Sequence, residues 1–389
     1  MSLTQSSGTE HDSLFSRTWM IIVTTFIIAI AVQALILPLS PGAHQDMQAY
    51  GLQAYAALHH KNVYLYTSRY PYPPVWIWIV MLMKQASVAS HVPFDIAIRA
   101  PIVLSEALLA VPLGLWSRYR DANVSQVWMV MLLGILNPLM IMVSALHGQF
   151  DAIALLFLAT ALYFEDSGKP RAISSLMLGI SIALKGWPIL FLPLLVFRSE
   201  SLMRKAACCL LAAIPITAAM VLYSAYVGFT PHMITNVANY SSTFDFGWSE
   251  LLKQFISNNA TITIMAKIDI VAIAAVSIAF GRQFRSDVVK AASATILMVY
   301  AIAIKMSIQY LSWMCAVLPL GKVKIAIPMI SYGSFAAAAY YFGVLFRSPR
   351  VPYALSVILF KIGQISAAIF TLVALYYFVQ FLRGKYECN

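Results

Sequence analysis

The chain carries carboxylates, imidazoles, amides and lysine amines that could do chemistry at a membrane surface. A carboxylate can accept a proton from a hydroxyl group, and an ammonium group can stabilise an anion. The short turn His147–Asp151 combines an imidazole, an amide and a carboxylate. Charged groups are costly at membrane depth, so each one there is a candidate for a functional role. The remaining candidates are His44, Asp46, Arg69, Tyr72, Lys185, Lys305, Gln309 and Tyr310.

The composition places these residues in a membrane protein. Of the 389 residues, 61% are hydrophobic and 11% are charged, whereas soluble proteins carry about 25% charged residues. This excludes a soluble globular domain, a disordered chain and a coiled coil, and it predicts an all-α polytopic integral membrane protein. The net charge of +11 comes without a basic cluster on a soluble segment, so we expect no nucleic acid partner. No P-loop, G-x-G-x-x-G, G-x-S-x-G or H-E-x-x-H motif is present, so nucleotide-driven chemistry is unsupported.

Apolar segments and flanking charges predict how the chain crosses the membrane. A spanning helix needs about 20 residues, and lysines and arginines favour the cytoplasmic side. Together these rules predict about twelve spans with both chain ends cytoplasmic, and Arg347 and Arg350 are the exceptions to the charge rule. The segment 73–90 is predicted to be an interfacial helix. The predicted spans are 18–38, 95–116, 124–144, 150–165, 172–184, 188–197, 206–228, 264–281, 288–304, 308–320, 325–346 and 354–382.

This topology makes residues 1–389 one transmembrane domain and gathers the candidate residues at its outer face. A cytoplasmic tail covers 1–17, a long first outer loop covers 39–94, and another outer loop covers 229–262. Each candidate also has a structural interpretation. Lys185 could reach the lipid headgroups, and Gln149 and Asp151 could cap the helix that follows them. The aromatic residues from Tyr64 to Trp78 could form an interfacial belt.

Five segments, in order, carry a family resemblance between about residues 40 and 320. They are His44-Gln45-Asp46 with Tyr64 and Tyr70–Pro74; Leu136–Pro138 with Ser144 and His147–Asp151; Gly179–Lys185 with Pro188 and Leu192-Pro193; Asn236–Leu252; and the K-x-x-x-Q-Y-x-x-W pattern of Lys305–Trp313 with Leu318-Pro319. These segments resemble the C-type glycosyltransferases, which use lipid-phosphate sugar donors. The likeness is strongest to the mannosyltransferases that add the first mannose of glycosylphosphatidylinositol anchors, and to their bacterial relatives that use polyprenyl-phosphate-mannose.

The resemblance implies an inverting transfer of a sugar, with mannose expected, from a polyprenyl-phosphate donor to a lipid-linked or glycan acceptor. The site would face away from the cytoplasm, in a bacterial plasma membrane or an endoplasmic reticulum membrane. Asp46 would be the catalytic base. Lys305, Lys185, Arg69 and His147 would bind the donor phosphate. The sugar and acceptor would contact His44, Gln149, Asp151, Gln309, Tyr310 and Tyr72.

Two departures from the family pattern limit these expectations. The anchor mannosyltransferases have D-x-D where this chain has His44-Gln45-Asp46, so a divalent cation held by paired aspartates is doubtful and no other cofactor is expected. The turn His147–Asp151 also resembles the H-x-Q-Y-N of glucosyltransferases that use dolichyl-phosphate-glucose, which keeps glucose open as the sugar. A lipid or sugar transporter and a non-catalytic subunit of a membrane complex are the alternatives from other functional classes.

Overall fold

A computed structural model describes residues 6–67, 70–238, 247–321, 323–345 and 353–384, and these contain helices and no strands. The helices are α1 (Ser6–Ile36), α2 (His44–Leu58), α3 (Val63–Tyr66), α4 (Val75–Ser90), α5 (Phe94–Leu108), α6 (Ala110–Tyr119), α7 (Val124–Gly134), α8 (Pro138–Ile141), α9 (Asp151–Asp166), α10 (Arg171–Leu184), α11 (Leu192–Phe197), α12 (Leu202–Val227), α13 (His232–Ala238), α14 (Ser249–Leu252), α15 (Asn259–Gln283), α16 (Val288–Ile302), α17 (Leu318–Gly321), α18 (Val323–Tyr340) and α19 (Tyr353–Leu382). Short 3-10 segments cover Leu37–Leu39, Trp187–Phe191 and Ile308–Ala316, and π-helical turns cover Met142–His147 and Tyr341–Leu345.

Among the described residues, seven helical stretches are long and apolar enough to cross a membrane. They are Phe15–Leu39, Phe94–Tyr119, Val124–His147, Leu202–Val227, Asn259–Gln283, Val323–Gly343 and Ala354–Leu382. The prediction of an all-α, multi-pass membrane protein is therefore confirmed. Shorter apolar helices include Val75–Ser90 and Arg171–Leu184. The total of about twelve crossings, the loop assignments and the sidedness of the loops stay predictions.

The core of the bundle is built around α9 and α16. Thirteen of the fifteen residues of α16 and ten of the sixteen of α9 are buried. By contrast, α12, α15 and α19 expose large aliphatic side chains along much of their length, for example Leu210, Ile268 and Ile365. A helix that is apolar on all faces is stable either inside a large core or against lipid. In this bundle, α9 and α16 lie inside the core, and the exposed apolar faces of α12, α15 and α19 are suited to contact with lipid.

A tight turn after the π-helical segment Met142–His147 sets the position of His147. The turn is made by Gly148, whose φ of +84° lies in the region that favours glycine. A Cβ on Gly148 would lie 2.7 Å from Cε of Met47 and 3.0 Å from Cδ of Arg99. The backbone angle therefore favours glycine, and an added Cβ would also have to displace the end of Met47 and press on Arg99. Single π turns inside helices frequently mark functional sites.

A buried arginine ties three segments together beneath this turn. The guanidinium of Arg99, on α5, donates to the carbonyl oxygens of Ala145 at 2.6 Å and Leu37 at 2.9 Å. Its Nε donates to the carbonyl of Asp95 at 2.7 Å. The side chain is fully buried, so these hydrogen bonds offset the cost of removing a charge from water. Arg99 thus fixes the end of α1 and the π turn against α5.

Candidate active site

Asp46 and His147 meet although they are 101 positions apart in the chain. Asp46 lies in the first turn of α2, and its Oδ2 is 2.5 Å from Nε2 of His147. The backbone N–H of Ala43 donates to the carbonyl of His147 at 2.9 Å, which holds the two segments in register. The His147 side chain is 6% exposed and the Asp46 side chain is 32% exposed. The carboxylate is therefore fixed by its neighbour and still accessible from one side.

The surroundings of Asp46 keep its carboxyl group ionised. Burial alone would raise its pKa. The hydrogen bond and the charge of His147, a hydrogen bond from Gln149 and the positive charge of Lys185 outweigh burial. The net result is a pKa of Asp46 below its ordinary value of 3.8. At neutral pH the group is a carboxylate, which is the form that can accept a proton.

Behind His147 lies a tyrosine that the sequence analysis did not single out. The hydroxyl of Tyr341 is 2.8 Å from Nδ1 of His147, and Tyr341 is fully buried. Nδ1 of His147 thus faces the tyrosine hydroxyl, and Nε2 of the same ring faces Asp46. The three side chains then form one chain of hydrogen bonds from Tyr341 to His147 to Asp46. Tyr341 lies in an apolar helix without a motif, so nothing in its local sequence indicates this contact.

A second polar group lies beside the first, around a buried ion pair. Nζ of Lys185 is 2.5 Å from Oδ2 of Asp151 and donates to Oε1 of Gln149 at 3.2 Å. The other oxygen of Asp151 accepts from Nε1 of Trp313 at 2.8 Å. Asp151 and Lys185 are essentially buried, at 0% and 1% exposure. The structure thus brings Gln149, Asp151 and Lys185 together, as the sequence analysis expected for one site.

These contacts also decide between the alternatives for Asp151 and Lys185. The N-cap of α9 is Phe150, and no side chain caps this helix end by a hydrogen bond. The carboxylate of Asp151 is used by Lys185 and Trp313 instead. Because Lys185 is buried, its amine does not reach out to the lipid headgroups. The helix-cap and headgroup interpretations are both wrong for these two residues.

Aromatic rings form the walls around the ion pair. The amine of Lys185 lies 4.4 Å from the ring centre of Phe150 and 5.2 Å from that of Tyr72. On the other side, Trp313 stacks on Tyr310 at 4.3 Å and on Trp187 at 3.9 Å. Cations are attracted to ring faces, and stacked rings have little conformational freedom. Tyr72 and Tyr310 are therefore part of a rigid, largely apolar enclosure for the charged group.

Lys305 lies in the link between α16 and the 3-10 helix Ile308–Ala316. Its amine donates to Oγ1 of Thr263 at 2.9 Å, near the beginning of α15. The backbone N–H of Ile304 donates to the carboxylate of Asp269 on the same helix. Burial lowers the pKa of Lys305, and the positive charges of Lys253 and Lys267 lower it further. Positive charge therefore converges on the first part of α15.

The remaining predicted residues are dispersed. Gln309 is buried on the 3-10 helix that carries Tyr310. His44 begins α2 and is exposed, with no hydrogen bond or ion pair to another described residue. Arg69 lies outside the described residues. Within the described ranges, no group of three or more histidine, cysteine, aspartate or glutamate side chains is arranged to hold a metal ion. Metal dependence stays a prediction.

One comparison with known proteins identifies the family. The model of glycosyltransferase family 87 matches residues 70–307, which is more than half of the chain. The matched segment contains His147, Gln149, Asp151, Lys185 and Lys305 and leaves out Asp46 and Tyr341. No curated protein matches the chain. The chain belongs to glycosyltransferase family 87.

Proposed function

We propose that this glycosyltransferase moves a sugar, with mannose as the first candidate, from a polyprenyl-phosphate donor to a hydroxyl group of a lipid-linked or glycan acceptor. The observation that carries the proposal is Asp46, an ionised and partly exposed carboxylate held by His147 at the edge of a buried polar group. The membrane-spanning bundle supports a lipid-borne donor, because its tail can stay among the helices while its head reaches the site.

The chemistry needs one base and no acid. The acceptor oxygen forms a bond to the anomeric carbon while the bond from that carbon to the phosphate oxygen breaks, which inverts the configuration. The phosphate leaves with the electron pair, and the hydroxyl proton goes to Asp46. Because a phosphate leaves without being protonated, the second carboxylate of a glycosidase is not needed. The low pKa of Asp46 is adequate, since the attacking hydroxyl becomes acidic as its new bond forms.

Fixed cations stabilise the leaving phosphate in this proposal. A lysine amine has three hydrogens, and Lys185 uses two of them on Asp151 and Gln149. The third is available to an oxygen of the donor, in a dry site where such a hydrogen bond is strong. Lys305 would meet the phosphate from the side of α15. Gln149, Tyr72 and Tyr310 would contact the sugar or the acceptor.

The test is a transfer assay with the purified protein in lipid nanodiscs. Radiolabelled polyprenyl-phosphate-mannose is supplied with lipid extracts as acceptors. Asp46→Asn should lower turnover by at least about a hundredfold, since it removes a positioned base. Asp121→Asn is the matched control, because Asp121 is exposed in a loop with positive φ that asparagine also adopts. This control should keep full activity.

Three other outcomes of these experiments would change the proposal. Full activity of Asp46→Asn would overturn the assignment of the base. Transfer from polyprenyl-phosphate-glucose alone would replace mannose by glucose. If label crosses the bilayer of proteoliposomes without any new glycoside, the transporter replaces the transferase in the proposal.

A further inference from the structure

A cavity of about 400 Å³ opens between α10 and α12, far from the candidate active site. Arg171, Ala172 and Ser175 line it from α10, and Arg204, Ala207, Cys208 and Leu211 line it from α12. These spacings of one, three and four residues place each set on one face of its helix. Ser199, in the link before α12, completes the lining.

The two ends of this cavity, which we call the wedge, are lined by different kinds of residue. A Cβ on Gly179 would collide with the backbone of Ala212, so the helices are in close contact there. One turn earlier on α10, the hydroxyl of Ser175 donates to Sγ of Cys208 at 3.2 Å. This end of the cavity is lined by small and apolar groups, and the other end is lined by Arg171 and Arg204.

Positive charge dominates the end of the wedge at Arg171 and Arg204. Arg171 is held in place by hydrogen bonds to Oγ of Ser199 and the carbonyl of Arg198, and by an ion pair with Glu165 at 3.3 Å. The exposed side chain of Arg204 has no hydrogen bond or ion pair to any described residue. A second cavity of about 250 Å³ adjoins at Arg171. It adds Arg198, Arg285 and Glu200, so four arginines face two glutamates in this region.

The wedge lies at the opposite end of the bundle from the buried ion pair. Arg171 begins α10 and Lys185 follows its last residue, which separates them by about 21 Å along the helix axis. Leu202 and Met203, at the beginning of α12, are 82% and 83% exposed. An apolar exposed surface beside an arginine cluster is typical of the boundary between acyl chains and headgroups.

We propose that this wedge binds one anionic phospholipid. Its phosphodiester would lie between Arg171 and Arg204, and the upper part of one acyl chain would fill the apolar wedge toward Leu211. Charge complementarity selects an anionic headgroup, and the apolar lining selects a lipid over a free anion. Basic pockets between membrane helices bind anionic headgroups in this way. The binding is separate from sugar transfer, and it would anchor α10, whose other end leads directly to Lys185.

Native mass spectrometry of the intact protein in detergent tests the proposal, with phosphatidylglycerol and phosphatidylcholine added in turn. Phosphatidylglycerol should bind several-fold more tightly than phosphatidylcholine. Arg204→Gln should weaken it about fivefold, since one arginine near such a headgroup contributes roughly a factor of five. Ala207→Trp fills the wedge without changing charge and should abolish tight binding. Arg282→Gln and Ala206→Trp are matched controls, because both residues are exposed and neither lines the cavity.

Competition with inorganic phosphate tests whether the cavity binds a free anion instead of a lipid. If millimolar phosphate displaces phosphatidylglycerol and Ala207→Trp binds like the wild type, the cavity is a free-anion site and the proposal is overturned. Equal binding of the two lipids, or unchanged binding by Arg204→Gln, would also overturn it. If Ala207→Trp does not yield a monodisperse protein, the comparison of Arg204→Gln with Arg282→Gln decides.

Discussion

At the residue scale, Asp46 lies at the end of a chain of contacts that begins at Tyr341. Its hydroxyl meets Nδ1 of His147, and Nε2 of the same ring meets the carboxylate. A histidine ring with both nitrogens engaged has a defined orientation. In the proposed mechanism, Tyr341 would therefore be a positioning residue that acts on the base Asp46 through His147.

Replacing this hydroxyl should slow the reaction without unfolding the protein. Tyr341→Phe removes one hydrogen bond from a buried ring, which costs about 1 kcal/mol of stability. We expect kcat to fall about tenfold and the KM for the donor to change little, because the ring no longer holds Asp46 in one state. Tyr340→Phe is the matched control on the neighbouring residue. Equal kinetics for the two variants would exclude the positioning role.

The pH dependence of the reaction tests the electrostatic origin of the low pKa of Asp46. In the wild type this pKa lies below 3.8, so the carboxylate is ionised at neutral and mildly acidic pH and its stabilising contribution disappears only as pH falls through the lowered pKa. His147→Leu removes the hydrogen bond and the charge of His147, so burial is opposed only by Gln149 and Lys185 and the pKa of Asp46 rises. The acidic limb of the profile of kcat/KM should therefore move to higher pH. His44→Leu, which removes an exposed imidazole from the same helix, should leave the limb in place.

The sequence predicted which polar residues gather at the site better than it predicted their partners. Gln149, Asp151 and Lys185 do meet, because the motif residues occupy consecutive helix ends. The contact between His147 and Tyr341 spans 194 positions and depends on how distant helices pack, which no local pattern encodes. Arg99 could have been found, since an arginine inside a predicted span is itself a functional or structural signal.

At the element scale, the turn at Gly148 connects the π-helical segment to α9 and so places His147 and Asp151 on the same side. Gly148→Ala would bring a strained left-handed backbone and a collision with Met47 and Arg99. Gly168→Ala carries the same kind of backbone strain, with φ at +67° and nothing within 4 Å of the added Cβ. The two variants therefore differ mainly in the collision.

We therefore expect Gly148→Ala and Gly168→Ala to differ in stability and in activity. Gly168→Ala should lower stability by about 1 kcal/mol and keep its activity. Gly148→Ala should be less stable than Gly168→Ala and should lose most of its activity, because Met47 and Arg99, which pack against the turn beside Asp46, must move. Thermal unfolding in detergent and the transfer assay measure both effects. Full activity of Gly148→Ala would show that the position of the turn is not critical.

Helix positions were predictable because the length and apolar character of a membrane helix are properties of the local sequence. The predicted span 206–228 compares with α12 at Leu202–Val227, and the predicted junction of two short helices at Lys185 is present. The π turns at Met142–His147 and Tyr341–Leu345 were not predicted. Each of these turns has one more residue than an α-helical turn because of how the helices pack. The first contains His147 and the second contains Tyr341, which are both part of the hydrogen-bond chain.

At the scale of the whole molecule, the two ends of the bundle differ in chemistry. One end holds Asp46 and the buried ion pair of Lys185 and Asp151, and the other holds the arginine-lined wedge between α10 and α12. The excess of arginine at the wedge is the pattern that the positive-inside rule assigns to the cytoplasmic side. The donor would then be used on the opposite side of the membrane.

The side of the membrane on which Asp46 lies can be measured in intact cells. With the four cysteines replaced by serine, His44→Cys and Lys169→Cys each place one exposed thiol at opposite ends of the bundle. A membrane-impermeant maleimide should label position 44 in intact cells or sealed right-side-out vesicles and should label position 169 only after permeabilisation. The reverse pattern would place Asp46 in the cytoplasm. The reaction would then take place on the side where nucleotide sugars are available, and the argument for a polyprenyl-phosphate donor would lose its topological support.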